Sequence, residues 1–371
     1  VLDFVGAARA SIADPFLPNK IMEGREDEIR ECIGCNICAS CYNGGIPVRC
    51  TQNPTMGEEW RRGWHPEKPK TKSTDSNILV IGGGPAGLET ATTLSKRGYR
   101  VTIAEKEDQL GGRINHESIL PGMSSYQRVV DYRYNQISQS ELVETFLGNE
   151  LKKEDVLDLG FDHVVTATGS KWNLSLLNEK LTPFNIGKMP NVLTPDDIFN
   201  GAETEDEVLI FDFDYYYMGG LLAEHLTNQG KKVSIISPFP SVSPWSFMSN
   251  EVNEIALRLH EKNIKTNKEE IIQIIEKDHV VTKNLVSHET RETNYETLLI
   301  VGNRVPHRGL FDELISENNL SDQGIKSINN IGDSNAPGAV VHAIYSGHLY
   351  ANTFDEGAEE SDLKFEYASI Q

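Results

Sequence analysis

The sequence lacks any long hydrophobic run and any block of basic residues, and its cysteines are confined to one short segment. No uninterrupted apolar stretch approaches the roughly 20 residues that span a bilayer, so we expect a soluble protein. Asp and Glu number 55 against 35 Lys and Arg, which gives a net charge of −20. A nucleic-acid groove or an anionic membrane surface needs the opposite sign. These absences argue against a membrane protein and against a nucleic-acid partner.

All five cysteines fall between Cys32 and Cys50, a distribution that cannot cross-link a secreted fold of 371 residues. Cysteines grouped in this way are typical of a metal or cluster site in a reducing compartment, so we expect the cytoplasm. The length predicts two to three domains, at roughly 100 to 200 residues each.

The spacing of the cysteines indicates the kind of site. Cys32, Cys35 and Cys38 follow the pattern C-x2-C-x2-C, and Cys50 comes after a glycine-containing loop. Three thiolates from one turn and a fourth from a returning loop can surround a [4Fe–4S] cluster. Structural zinc is the competing interpretation, although it usually takes two separated C-x2-C pairs. Cys41 is a second candidate for the fourth position, but a ligand from the same tight turn would have difficulty reaching the far corner of the cluster.

The first residues predict a strand followed by a phosphate-binding turn. Residues 2–5 predict a short buried strand; Gly6 follows it directly, and Arg9 comes three residues later. At the carboxyl end of a barrel strand, backbone N–H groups and an arginine can hold a phosphate. A glycine turn beside a surface arginine is the competing interpretation. Further on, the Glu- and Arg-rich residues 23–31 predict an exposed helix that leads to the cysteines.

Beyond the cysteine segment the pattern is that of a dinucleotide-binding fold. Residues 78–81 predict an apolar strand, and Gly82, Gly84 and Gly87 then form G-x-G-x-x-G. A helix and a second strand follow, and this strand ends at Glu105. A carboxylate roughly 20 residues after the first glycine takes the ribose hydroxyls, while the helix N-terminus meets the pyrophosphate. We therefore predict that this unit binds ADP, either alone or as part of FAD.

Later turns add candidates to the same nucleotide site. Gly112 and Arg113 come soon after the second strand and can add a backbone donor and a cation to the diphosphate. A solvated surface arginine is the competing interpretation of Arg113. Asp333, at the end of the last predicted strand, suits the ribityl chain of FAD. The predicted set is completed by Ala86, Lys106 and Gly169.

A second βαβ unit has a turn that is wrong for a dinucleotide. Where glycines should let the backbone approach a phosphate, the chain reads D-F-D-Y-Y-Y from Asp212 to Tyr217. Two carboxylates repel a pyrophosphate and three tyrosine rings fill its space. We predict that the protein does not use NADH or NADPH.

The chain resembles the C-terminal part of the trimethylamine dehydrogenase family, which is grouped with 2,4-dienoyl-CoA reductase and related iron–sulfur flavoenzymes. The resemblance rests on the order of the segments SIADPFL, CIGCNIC, CTQNPTMGEEWRRGWHPE, VIGGGPAGLE, EKEDQLGG, TATG and IGDSNAP. It implies an α/β protein: the end of a (β/α)8 barrel, a [4Fe–4S] segment, and two Rossmann-like units with the second inserted in the first. It also makes Arg9 a ligand of the FMN phosphate and places the other barrel strands, with the substrate pocket, outside this chain.

The resemblance also sets domain boundaries. It assigns residues 1–28 to the last barrel strand and helix, 29–76 to the cluster segment and linker, 77–200 and 303–371 to the ADP- or FAD-binding domain, and 201–302 to the inserted unit.

The function that the resemblance implies is that of an amine dehydrogenase or demethylase. The tyrosine-rich turn is closer to the amine dehydrogenases, whereas the spacing from Cys38 to Cys50 is closer to the reductases. We expect oxidation of an N-methylated amine, with electrons passing from FMN through the cluster to an electron-transfer flavoprotein or similar carrier. The alternatives are an NAD(P)H-dependent enoate or 2,4-dienoyl-CoA reductase and a non-catalytic electron-transfer subunit.

The remaining expectations concern partners. The resemblance implies the rest of the barrel, in the same or another chain, and an oligomer. It identifies no catalytic residue in this chain.

Overall fold

The computed structural model describes residues 5–189, 191–318 and 320–355. They form two compact units, of which the first comprises the residues up to 118, residues 123–170 and those from 306 on. The second comprises residues 119–122 and 171–305. Within the described ranges, no helix has both the length and the apolar character that crossing a membrane requires. The strand predicted at residues 2–5 lies outside these ranges except for Val5, which is exposed and has no regular structure.

The strands and helices follow the predicted alternation of an α/β protein. The strands are β1 Asn77–Ile81, β2 Arg100–Ala104, β3 Val143–Phe146, β4 His163–Thr166, β5 Ser170–Trp172, β6 Ser175–Leu177, β7 Pro183–Asn185, β8 Val192–Leu193, β9 Glu207–Asp212, β10 Lys232–Ser237, β11 Lys265–Lys268, β12 Glu270–Ile275, β13 His279–Asn284, β14 Thr290–Asn294, β15 Thr297–Val301, β16 Arg304–Pro306 and β17 Ser327–Asn330. The α-helices are α1 Ala8–Ala13, α2 Leu17–Met22, α3 Ile37–Asn43, α4 Glu59–Arg62, α5 Pro85–Arg97, α6 Arg113–Glu117, α7 Arg128–Ser138, α8 Lys153–Asp158, α9 Pro195–Phe199, α10 Met218–Asn228, α11 Val252–Glu261, α12 Gly309–Ile315 and α13 Val340–Thr353. Short 3-10 turns occupy Glu26–Glu28, Ser124–Gln127, Pro244–Phe247, Leu320–Gln323 and Gly332–Ser334.

The first unit is built on a five-stranded sheet in the order β17-β4-β1-β2-β3. Its strands are parallel, so their carboxyl ends meet at one edge. The central strand β1 is buried from Ile78 to Ile81, as expected for a parallel strand covered on both faces. This edge is where ligands bind in open parallel sheets, and it collects the loops that follow β1, β2, β4 and β17.

The second unit has its own parallel sheet, in the order β11-β10-β9-β15-β8, and a three-stranded antiparallel sheet, β12-β13-β14. Its core is formed by strand residues that include Leu209, Phe211, Ile236, Leu298 and Ile300. Both units are therefore of the Rossmann type, and the predicted α/β class is confirmed.

The exposed helix predicted at residues 23–31 is wrong, since this segment forms one 3-10 turn, Glu26–Glu28, and is otherwise irregular. Gly24 turns the chain with a φ of 69°, a conformation that a helix does not contain. The buried Asp14 carboxylate accepts the backbone N–H of Arg30 at 3.0 Å. This bond draws the segment inward, so its charged residues do not form a solvated helical face.

Candidate cluster and nucleotide sites

Four cysteines line one cavity in the first unit. Cys32 and Cys35 lie in the loop before α3, Cys38 lies on α3, and Cys50 lies on the loop that returns from it. The other residues that line this cavity are Arg9, Ile12, Ile33, Asn36, Thr51 and Gln52. The four predicted ligands therefore face a common space, and their binding of iron stays a prediction.

Cys41 stands apart from this cavity. Its side chain is buried on α3 and its sulfur accepts a hydrogen bond from the backbone N–H of Arg49. Burial raises the pKa of the Cys41 thiol. The residue thus ties α3 to the loop that carries Cys50, which is a packing role.

Hydrogen-bond donors surround the sulfurs in the cavity. The Gly34 N–H donates to Cys32 Sγ at 3.4 Å, and the Thr51 hydroxyl lies 3.3 Å from Cys35 Sγ. The backbone N–H groups of Asn53 and Gln52 donate to Cys50 Sγ. Such donors stabilise the negative charge of metal-bound thiolates.

Burial opposes ionisation of these thiols. It raises the pKa of Cys35, and it raises the pKa of Cys50 to about 11. A bound metal supplies the positive charge that keeps such thiolates ionised. In the described part of the chain, no group of three or more His, Cys, Asp or Glu side chains has a geometry that could hold a single metal ion. A [4Fe–4S] cluster is larger, because it spreads its four cysteine ligands over several iron atoms.

Arg9 borders the same cavity. It lies on α1, is exposed, and donates from Nη1 to Asn36 Oδ1 at 2.6 Å. Asn36 precedes α3 with a φ of 53°, in the left-handed region that asparagine tolerates. Gly6 is exposed and has no regular structure. The binding of an FMN phosphate by Gly6 and Arg9 stays a prediction.

The glycine turn after β1 has the shape of a diphosphate cradle. Gly82 has a φ of 110°, and a Cβ there would overlap the carbonyl of Ala167. A Cβ on Gly87 would overlap the carbonyl oxygen of Gly82, so the helix and the turn approach closely. Gly84, the residue directly before α5, differs because a Cβ there would meet nothing within 4 Å. The open space in front of Gly84 is where a pyrophosphate can approach the backbone.

Glu105 is held at the end of β2, with its side chain largely buried. Its Oε2 accepts the Gly83 N–H at 2.6 Å and its Oε1 accepts the Glu107 N–H at 2.9 Å. Each carboxylate oxygen can accept a second hydrogen bond, so ribose hydroxyls can still be bound. The predicted neighbour Lys106 is exposed and pairs with Glu107 at 3.4 Å.

The turn at Gly112 lies against the glycine cradle. A Cβ on Gly112, whose φ is 53°, would lie 3.1 Å from Gly84 Cα. Arg113 pairs through Nε with Glu117 at 2.7 Å and lies 3.5 Å, from Nη2, from Asp333 Oδ2. The structure therefore brings together the predicted cation and the predicted ribityl carboxylate at one edge of the sheet.

Ala86 and Gly169 have structural contacts of their own. Ala86 is buried in the first turn of α5, and a Cβ on Gly347 of α13 would overlap its carbonyl oxygen. A Cβ on Gly332, whose φ is 64°, would lie 2.7 Å from the Ala86 Cβ. Gly169 has a φ of 76° and accepts the His307 N–H at 2.9 Å. For Ala86 the visible role is close packing of the two helices.

Sequence reasoning missed the loop after β3. The Gly148 N–H donates to the Glu107 carbonyl at 3.0 Å, and the Asn149 N–H donates to the Glu105 carbonyl at 2.9 Å. Beside them, Leu147 is exposed. The apolar end of this third strand is the signal that would have identified the loop as part of the same sheet edge.

The second βαβ unit has an acid where a dinucleotide would place its phosphates. Asp214 Oδ2 accepts the N–H groups of Tyr217 and Met218, at 2.9 and 2.8 Å, at the amino end of α10. Asp212 is buried against Gly219, and burial followed by the nearby Asp214 raises its pKa well above the ordinary range. Burial favours the neutral form of Asp212, so the predicted repulsion of a pyrophosphate depends mainly on Asp214, which lies at the amino end of the helix.

The tyrosines of this turn do not all fill the phosphate position. Tyr215 is about half exposed and meets the Phe239 ring edge-on, with centroids 5.2 Å apart. The rings of Tyr216 and Tyr217 lie against each other, with centroids 4.4 Å apart. The steric block that the sequence suggested thus leaves one ring facing solvent.

The chain is similar to known redox proteins along its whole length. The family model "Pyridine nucleotide-disulphide oxidoreductase" matches residues 58–119 and 76–320. The dimethylamine dehydrogenase of Hyphomicrobium sp. (strain x) is 34% identical, over 96% of this chain and 52% of its own length.

Two solved structures are similar in fold and sequence. Histamine dehydrogenase from Rhizobium sp. 4-9 has a TM-score of 0.95 at 42% identity, covering 100% of this chain and 55% of that one. The 6-hydroxypseudooxynicotine amine oxidase from Pseudomonas geniculata N1 has a TM-score of 0.91 at 39% identity, covering 95% of this chain and 53% of that one. The chain therefore spans about half the length of these relatives.

Proposed function

We propose, on the premise that the chain belongs to the pyridine nucleotide-disulphide oxidoreductase family, that it is the cluster- and nucleotide-carrying part of an iron–sulfur flavoprotein amine dehydrogenase. The predicted resemblance to the trimethylamine dehydrogenase family is confirmed by three relatives that are named as amine dehydrogenases or an amine oxidase and match 95% or more of this chain. The observation that carries the proposal is the cavity shared by Cys32, Cys35, Cys38 and Cys50. A [4Fe–4S] cluster supplies one-electron transfer, which an enzyme needs when a two-electron donor feeds a one-electron acceptor.

The nucleotide site supports the same assignment. The cradle at Gly82, Gly84 and Gly87 fits an ADP moiety, with Glu105 on the ribose. Arg113 and Asp333 would lie beside the diphosphate and, if the ligand is FAD, its ribityl chain. We propose ADP or FAD as the ligand. In the part of the protein visible here, these residues bind and orient cofactors and move no proton.

The proposed substrate is an N-methylated amine. Three relatives that are at least 34% identical over 95% or more of this chain are named for dimethylamine, histamine and 6-hydroxypseudooxynicotine, which supports oxidation beside an amine nitrogen. Loss of two electrons and a proton from an N-methyl amine gives an iminium ion, and water then releases formaldehyde and the smaller amine. FMN, held mainly outside this chain with Gly6 and Arg9 at its phosphate, would accept the two electrons.

The proposed partners follow from this reaction. Electrons would leave through the cluster, one at a time, to an electron-transfer flavoprotein or a similar carrier. We also propose that the barrel belongs to the same or another chain, that the protein is an oligomer, and that it works in the cytoplasm, where free thiols stay reduced.

The test uses the purified holoenzyme in its full-length form. Its nucleotides are extracted by mild denaturation and identified by chromatography, and its iron and acid-labile sulfide are measured. Dimethylamine, trimethylamine and histamine are then added anaerobically while flavin absorbance is followed. Flavin reduction by a methylated amine with release of formaldehyde is expected. Reduction by histamine alone would refute the N-methylated substrate while supporting amine oxidation, and absence of iron or of any amine response would refute the whole proposal.

The alternative of a nicotinamide-dependent reductase finds no support in the second unit. Asp214 already accepts the N–H groups at the amino end of α10. A reductase would need these donors for the pyrophosphate of its nicotinamide nucleotide. Reduction of the flavin by NADPH, without any response to amines, would favour the reductase.

A further inference from the structure

Arg133, on α7, is a fully buried arginine whose hydrogen bonds reach the cysteine segment. Its Nε donates to Glu89 Oε2 at 2.7 Å, and its Nη1 donates to Gln52 Oε1 and to the Val129 carbonyl, both at 2.9 Å. Its Nη2 donates to the backbone carbonyl of Gln52 at 3.3 Å. One guanidinium thus holds Gln52 from both the side chain and the main chain.

Gln52 is fixed at the cysteine cavity. It lines the cavity, is buried, and its backbone N–H donates to Cys50 Sγ. Its side-chain Nε2 donates to the carbonyls of Glu31 and Arg128 at 3.1 and 3.2 Å. Glu31 directly precedes Cys32. Gln52 therefore joins the two ends of the cysteine segment, and Arg133 orients it.

A contribution to stability does not by itself explain why a charged arginine is buried at position 133. Burial opposes ionisation of Glu89, but Arg133 and then His348 hold its pKa down, at about 2, so the pair is ionised. A buried ion pair often adds no stability over apolar residues of the same size. What arginine adds is a rigid planar fork of donors, which fixes the direction of each hydrogen bond.

We propose that Arg133 is a positioning residue for the cluster at the four cysteines: by orienting Gln52 it holds the N–H donor on Cys50 Sγ and thereby sets the reduction potential of the cluster and its retention. The inference rests on the proposed function, because it assumes that the cysteines bind [4Fe–4S]. Hydrogen bonds to the sulfurs and exclusion of solvent are two of the factors that set cluster potentials. An N–H group that donates to a cluster sulfur stabilises the extra negative charge of the reduced cluster. Loss of this donor therefore lowers the reduction potential of the cluster.

The experiment compares Arg133→Lys with Arg97→Lys in the holoenzyme. Lysine keeps the charge beside Glu89 but lacks the fork that reaches both oxygens of Gln52. Arg97 is the matched control, because it is also buried in the first unit and donates to the carbonyls of Lys70 and Ala351. These contacts lie away from the cysteine cavity, so this variant reports the general cost of losing a buried arginine.

The measurements are iron and sulfide per chain, the loss of iron in air, and a redox titration followed by paramagnetic resonance. Arg133→Lys is expected to lower the midpoint potential, to change the spectrum of the reduced cluster and to release iron several-fold faster. Arg97→Lys is expected to lower the melting temperature while leaving the potential and the spectrum as in the wild type.

Two results would overturn the inference while leaving the proposed function intact. One is a wild-type potential and iron retention in Arg133→Lys, and the other is an equal shift of potential in Arg97→Lys. If Arg133→Lys does not fold, Gln52→Met takes its place, because it removes the side-chain bonds but keeps the volume and the backbone N–H. The same direction of change is then expected, and an unchanged potential refutes the inference. A wild-type holoenzyme without iron would overturn the proposed function as well.

Discussion

The Asp214 carboxylate accepts the backbone N–H of Met218 at 2.8 Å, so the amino end of α10 is capped by an acid from its own chain. In a dinucleotide-binding unit this end of the helix meets the pyrophosphate, because its N–H groups lack partners within the helix. A carboxylate supplies the same kind of acceptor and the same sign of charge. The second unit thus keeps the helix stabilised without a ligand.

The first prediction is that neither NADH nor NADPH reduces the holoenzyme. A pyrophosphate would have to displace Asp214 from the Tyr217 and Met218 N–H groups. Two like charges about 4 Å apart repel by roughly 1 kcal/mol in water and by about 4 kcal/mol near a protein surface. The measurement is anaerobic mixing with excess NADH or NADPH while flavin absorbance is recorded, with dithionite as the positive control. Bleaching at a catalytically useful rate would contradict the prediction.

The second prediction distinguishes the fourth cluster ligand. Cys50→Ser is expected to lose most of the iron or to change the paramagnetic spectrum, because Cys50 lines the cavity. Cys41→Ser is the matched control and is expected to keep the iron content and the spectrum, since the Cys41 sulfur accepts a hydrogen bond from the Arg49 N–H instead of facing the cavity. Iron analysis and spectra of the reduced proteins give the answer. The assignment fails if the two variants exchange these phenotypes.

The third prediction concerns the nucleotide cradle. Gly84→Val is expected to fold and to lose its nucleotide, because the space in front of Gly84 is open in the protein alone but lies where the pyrophosphate approaches. Gly309→Val is the control, since a side chain there also meets nothing within 4 Å and it lies at the start of α12, away from the cradle. Nucleotide is measured after denaturation. Full nucleotide content in Gly84→Val would rule out this placement.

The fourth prediction is a pH dependence of stability. The folded-state pKa of Asp212 is raised, so the native protein keeps a proton that the unfolded chain loses above a pH of about 3.9. This costs stability as the pH rises, by about 1.4 kcal/mol for each pKa unit of the shift. Asp212→Asn removes the titration and keeps an acceptor for the Asp214 N–H, which Asp212 Oδ1 accepts at 3.1 Å. The variant should gain stability relative to wild type at pH 7.5 but not at pH 4.5.

Melting temperatures at these two pH values check the fourth prediction. Asp206→Asn is the control, because the Asp206 side chain is exposed and a neutral residue there should change stability little at either pH. An Asp212→Asn variant that is less stable than wild type at pH 7.5 would show that the buried acid is ionised after all.

Much of the fold and the candidate sites could be predicted from local patterns. The glycine turn after β1, the acid at the end of β2 and the cysteine spacing are read from residues that lie close together in the chain, and their geometry is set by backbone conformation. The predicted helix at residues 23–31 failed because the backbone of the segment makes a long-range contact, the hydrogen bond from the Arg30 N–H to the Asp14 carboxylate.

The sequence by itself determined the α/β order, the first glycine cradle and the group of cysteines, because each depends on residue type at short spacing. Only the tertiary structure decided which cysteines share a cavity, that Asp212 is buried, and that Arg133 reaches Gln52, 81 positions away in the chain. It also decided that β8, with two residues, joins the sheet of the second unit. Burial and long-range hydrogen bonds depend on how segments that are far apart in the chain pack together, and a short sequence pattern does not predict that packing.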